Sequence, residues 1–99
     1  MACYSLQMED SSEFYSKLKS RDPDLVLKMS KCVLEAAKYN KERIDIFDIT
    51  FKRNLDGILF SINKSQYEDL LNNCLNDLIK IEEYELCADI KKILNKKTL

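Results

Sequence analysis

Ninety-nine residues, 45% hydrophobic and 33% charged, make one domain that can build a core without metal or disulfide staples. One Gly and one Pro exclude the many tight turns of an all-β sandwich or barrel, so helices should dominate. The net charge of −1, balanced in every third of the chain, speaks against nucleic-acid binding, which goes with a basic excess.

Met1 to Glu9 shows no helical stripe and is expected to form a loose arm over residues 1–9. Asp10-Ser11-Ser12-Glu13 is a capping box, and Phe14, Tyr15 and Leu18 follow on one face of a helix of about ten residues. A second start lies at Arg21-Asp22-Pro23-Asp24. Asp22 suits the cap, Pro23 the first helical position, and Asp24 the positive helix end. From Pro23 to about Tyr39, Leu25, Met29, Cys32, Val33, Ala36 and Ala37 form a stripe at helical spacing, and Asn40 suits a left-handed C-terminal cap.

Between Lys41 and Ile62 the period changes. Asp56-Gly57 is the best hairpin dipeptide in the chain. Taken as a two-residue loop, it opposes Leu55 to Ile58, Arg53 to Phe60 and Phe51 to Ile62. Ile49, Phe51, Leu55, Ile58, Phe60 and Ile62 then share one face, with Leu59 the exception on the other. Ile44 to Asp48 reads either as a strand with a bulge at Ile46-Phe47 or as a helical turn.

Asn63 or Ser65 caps a third helix. Tyr67, Leu70, Leu71, Cys74, Leu75, Leu78 and Ile79 make its stripe, and Leu86, Cys87, Ile90, Ile93 and Leu94 make another. The acidic run Glu82-Glu83-Tyr84-Glu85 stands between them. A turn there, supplying negative charge to a new helix, makes residues 63–97 a helical hairpin.

Cys3, Cys32, Cys74 and Cys87 match no zinc spacing, and there is no His to complete a ligand set. Three of them fall on apolar helical faces, so reduced thiols in a cytoplasmic protein are expected. No N-terminal stretch resembles a signal peptide, and no apolar run exceeds four residues, so no membrane association is expected. Catalytic residues, metal and cofactor are all expected to be none. Without His or a glycine-rich loop there is no ordinary general base and no phosphate cradle. The carboxylate groups Asp45/Asp48 and Glu82/Glu83/Glu85 lack convergent partners, and helix-start acidity accounts for the second group.

Lys91, Lys92, Lys96 and Lys97 form a basic cluster that complements the last helix end. Arg53, on the apolar hairpin face, either snorkels past Phe60 or marks a partner-binding edge. Tyr84 among its carboxylates either closes the helical hairpin against Leu78 or Ile81, or anchors a partner.

Lys80 to Leu94 resembles the UVR motif, the short helical hairpin of the UvrB and UvrC repair proteins and the McsA kinase activator. Glu82-Glu83-Tyr84-Glu85 matches its opening, Cys87-Ala88 its small pair, Ile90 and Leu94 its apolar positions and Lys91 its basic one. Lys92 stands where that family has an Asp. The resemblance implies a helical hairpin for protein–protein contact, with no activity of its own.

The expected fold is α+β: four helices with one β-hairpin, about 49–55 and 58–62, packed on the helical layer. An all-α fold with 44–62 as loop is the alternative. The expected function is a small non-enzymatic adaptor or regulator that binds another protein through Glu82, Glu83, Tyr84, Glu85, Lys91 and Arg53. Composition rich in Lys, Asn and Ile suits a bacterial or phage origin, and a phage-type inhibitor of a host enzyme or nucleic-acid machine is one alternative. A nucleic-acid accessory using the Lys cluster is another. A homodimer, with Leu59 and Arg53 flanking an exposed edge strand, is a structural alternative.

Overall fold

The computed structural model describes residues 2–53 and 55–97, the last by its backbone alone. Its elements in chain order are β1 (Tyr4–Met8), α1 (Ser11–Lys19), α2 (Pro23–Lys38), β2 (Arg43–Phe51), β3 (Gly57–Asn63), a 3-10 turn (Lys64–Gln66), α3 (Tyr67–Lys80) and α4 (Tyr84–Lys97). The fold is α+β, with the four expected helices. Its sheet, however, has three strands in the order β1-β2-β3 rather than a lone hairpin.

The third strand comes from the segment expected to be a loose arm. Tyr4 to Met8 lies parallel to Phe47–Phe51, and Met8 is buried. A parallel partner needs no turn next to it in sequence, and here it waits until after two helices, so nothing local announces the strand. The thiol expectation is corrected at the same place. Cys3 and Cys32 form a disulfide that ties the start of β1 to α2, while Cys74 and Cys87 are free and buried. The disulfide removes reduced thiols as a ground for a cytoplasmic setting.

Helix starts follow local chemistry. Glu13 N–H donates to Asp10 Oδ1 at 3.0 Å, and Glu9 N–H donates to Glu13 Oε1 at 3.0 Å. Leu25 N–H donates to Asp22 Oδ2 at 3.2 Å, with Pro23 in the first turn. Neither Asn63 nor Ser65 caps α3 itself: Asn63 caps the 3-10 turn, its N–H donating to Gln66 Oε1 at 2.9 Å, and Gln66 at the end of that turn is the residue from which α3 starts.

Helix ends are less usual. The residues just past α1, α2 and α3 are Arg21, Asn40 and Glu82, with φ of 59°, 55° and 62°. Each stop pairs two N–H groups with earlier carbonyls: Arg21→Leu18 and Asp22→Lys17, Asn40→Ala37 and Lys41→Ala36, Glu82→Ile79 and Glu83→Leu78. This is the Schellman arrangement, which satisfies the last orphan carbonyls and favours Gly at its left-handed position. The one Gly of the chain is used elsewhere.

The hairpin keeps its place but not its expected register. Ile49 pairs with Ile58, Phe47 with Phe60 and Ile44 with Ile62, instead of Leu55 with Ile58, Arg53 with Phe60 and Phe51 with Ile62. Phe51 N–H donates to Asp56 O at 2.7 Å and closes a longer loop. Lys52 and Arg53 give their N–H groups to Met8 O and Glu9 O, so β1 takes the backbone that a two-residue turn would need. Ile49, Phe51, Ile58, Phe60 and Ile62 face the core as expected, joined by Phe47. Leu55 does not: it is 87% exposed at the loop. Asp45 pairs with Ser61 and Phe47 with Phe60, leaving Ile46 as an extra, fully buried residue, so this segment is a bulged strand and not a helical turn.

The core gathers under the sheet. Phe14 of α1 meets Phe60 and Phe47 edge-on, with centroids 5.6 and 6.3 Å away, and Phe47 stacks on Phe60 at 6.2 Å. Helix α2 packs on β2 and on α3, and α4 closes against both α2 and α3. The fully buried Tyr67 ring sends its hydroxyl to Lys41 O at 2.9 Å, fixing the start of α3 against the α2–β2 connection.

Candidate functional site

The segment that joins α3 to α4 is a turn, as its charge pattern suggests. Leu78 and Ile79 carbonyls accept the N–H groups of Glu83 and Glu82, each at 3.0 Å, and Cys87 N–H donates to Glu83 O at 3.1 Å to begin α4. Glu85 lies in the first turn of α4, where the helix dipole favours negative charge. Leu78, Leu86, Cys87 and Ile90 lock the two helices from inside. Cys87 Sγ also approaches Leu75 O at 3.8 Å.

That buried seam decides what faces outward. Tyr84 is 60% exposed, so its ring does not close the hairpin against Leu78 or Ile81, and Ile79 on the other side of the turn is 44% exposed. Glu82 and Glu85 are exposed and Glu83 partly so. Tyr84, Ala88 and Lys91 are all exposed at spacings of four and three, which places them on one face of α4. Lys91 stands about 10 Å along the axis from Tyr84. Five of the six expected binding residues therefore share one corner and one helix face.

Arg53 does not join them. Its guanidinium pairs with Asp10 at 3.4 Å and its N–H donates to Glu9 O, which fixes it to the β1–α1 junction and not on the apolar hairpin face. The hairpin register that put it opposite Phe60 is the one that β1 displaces.

Three features escaped the sequence pattern. Ile79 belongs to the α3 stripe by spacing, yet it is largely exposed at the end of the helix. Tyr39, 70% exposed at the end of α2, lines a crevice of about 270 Å³ with Leu34, Glu35, Lys38 and Leu86, which opens beside the first turn of α4. The third is Arg21, whose Nε donates to Asp77 Oδ2 at 2.8 Å and whose Nη2 donates to Asn73 O at 3.0 Å. Hydrogen bonding to Asp77 pushes the Arg21 pKa further up. Below it, burial pushes the Cys74 thiol up, which makes that cysteine a poor nucleophile.

The other charged groups have separate surroundings. Asp45 accepts from Ser61 Oγ at 2.6 Å and lies 3.4 Å from Arg43 Nε. That hydroxyl first, and Arg43 after it, hold its carboxyl below the ordinary range. Asp48 is exposed on the open face of the sheet. Lys92 and Lys96 line a shallow hollow with Lys38 and Asp89, Lys91 points away from it by its spacing, and the Lys97 side chain lies outside the described residues. Among the described residues no three His, Cys, Asp or Glu side chains gather as metal ligands, and no helix is long and apolar enough to cross a membrane.

No family model, curated protein or solved structure matches the chain.

Proposed function

We propose that this chain is a small non-enzymatic adaptor or regulatory protein that binds another protein through the α3–α4 corner. The observation that carries this is the exposure of two large apolar side chains, Ile79 and Tyr84, on either side of one three-residue turn. Single exposed hydrophobics are ordinary on any surface. Two that flank one turn, rimmed by Glu82, Glu83 and Glu85 and held by a buried seam, form a preorganised contact. A Tyr in such a place offers a large rigid surface at little entropic cost. The matching surface is basic, with an apolar pocket for the Tyr84 ring. The UVR resemblance of the same residues supports the assignment.

Affinity capture from the native host lysate, with mass-spectrometric identification, tests it. Tyr84→Ala leaves the fold intact, because the ring is mostly in solvent, and abolishes capture of the protein that wild type retains. Equal capture by the folded Tyr84→Ala protein removes the corner as the binding face.

A further inference from the structure

We propose that the Cys3–Cys32 disulfide is a redox latch on β1. Its reduction frees that strand and moves the sheet edge from β1 to β2, while the helices stay in place. Strand β1 has little else to hold it. It is an edge strand of five residues, paired on one side and in the parallel sense, which is slightly weaker per residue. Met8 is buried, Tyr4 and Leu6 are half-buried, and Ser5 and Gln7 are exposed. Ordering five residues costs about as much backbone entropy as that modest burial returns, so the strand alone is marginal.

Its two ends are held by different means. At the C-terminal end Lys52 N–H donates to Met8 O at 2.9 Å and Arg53 N–H to Glu9 O at 3.1 Å, and the chain runs straight into the cap of α1. At the other end Cys3 N–H donates to Asp45 O at 3.0 Å. The Tyr4 ring lies 6.0 Å from that of Phe47 and 5.7 Å from Lys28 Nζ. The bond to Cys32 of α2 is the covalent hold there. Once it is cut, opening runs from Tyr4 toward the anchors at Met8 and Glu9.

The two half-cystines differ in access. Cys3 is exposed and Cys32 is 3% exposed. A dithiol reductant therefore enters at Cys3. Its thiolate attacks Cys3 Sγ, the S–S bond breaks, and Cys32 leaves as a thiolate that takes up a proton. The second thiol of the reductant then displaces Cys3 and closes the reductant's own disulfide, so two electrons and two protons pass to the pair. Cys32 stays in the core as a small apolar side chain. With β1 away, Asp48 and Thr50, whose backbone faces β1 by alternation from the Lys52–Met8 bond, lose their partners.

NMR with and without dithiothreitol tests the latch. In the oxidised protein, cross-strand contacts link Leu6 to Ile49, and the Leu6 N–H, which the same alternation turns toward β2, resists exchange. Reduction should abolish both, while the Leu71 and Leu78 amides of α3 remain protected. Cys3→Ser with Cys32→Ser should do the same without reductant. Leu6–Ile49 contacts that persist after reduction overturn the proposal. So does reduced protein that unfolds throughout, because the bond is then a staple on the whole fold rather than a latch on one strand. Brief exposure to glutathione, an acid quench and mass mapping read the route: the mixed disulfide should sit on Cys3, and one on Cys32 overturns the step as written.

Discussion

Arg21, Asn40 and Glu82 hold left-handed backbone at the stops of three helices, where a Cβ costs roughly 1–2 kcal/mol that Gly avoids. Asn carries that conformation best of the three. Glu82 carries it worst, since its charge also sits against the negative end of α3. Glu82→Gly is therefore expected to stabilise the fold by about 1 kcal/mol, after the extra entropy Gly brings to the unfolded chain. A urea midpoint that stays put or falls would show that the Glu82 side chain holds the turn in another way. Asp45 gives a pH signature. Its folded pKa lies below its unfolded one, so its contribution is full above the ordinary carboxylate value of about 3.9 and is lost as pH falls through the folded value. Removing the leading cause with Ser61→Ala should move the Asp45 carboxyl titration, followed by NMR, upward toward that ordinary value. No movement would assign the effect to Arg43.

Among the elements, the hairpin shows how one unseen strand changes its neighbours. Gly57 invites a tight turn with positive φ, but the structure needs it for space: a Cβ there meets Ile49 O at 2.5 Å. Gly57→Ala is thus expected to cost about 1–3 kcal/mol, the usual range for overpacking, with the loss visible as a lower thermal midpoint. A neutral result would mean that the β2 backbone yields at that point. Helix starts were legible because Asp10 and Asp22 accept from N–H groups three residues on, and Pro23 sets the backbone of the first helical position. The helical hairpin was legible because its stripes run for several turns. Strand β1 was not, since five residues of weak alternation mean little until Phe47 to Phe51 supply the other half of the ladder. The hairpin register was misread for the same reason, because the partners of Lys52 and Arg53 lie in Met8 and Glu9. At the candidate site the grouping of Glu82, Glu83, Tyr84 and Glu85 was local and readable. The exposure of Ile79 depends on how the neighbouring elements pack at the end of α3, which spacing does not state.

At the scale of the whole molecule, the disulfide spans 29 residues of sequence. On the chain-entropy account a loop of that size stabilises the fold by about 3–4 kcal/mol, a large share of what a small domain has. Reduction, or Cys3→Ser with Cys32→Ser, should lower the urea midpoint accordingly while Cys74 and Cys87 stay unreactive until unfolding. An unchanged midpoint would mean that β1 is held by its ladder alone. The same bond also bears on the order of synthesis. Cys3 and Cys32 leave the ribosome ahead of β2. Where the compartment supplies a thiol oxidant to take up the two electrons and two protons, the ring can close around α1 and the first part of α2 while Tyr4 to Met8 still lacks its partner. A nascent chain closed in this way already holds its first strand beside the helix that will support the second. The search for a distant parallel neighbour then becomes a local docking when Phe47 to Phe51 emerge.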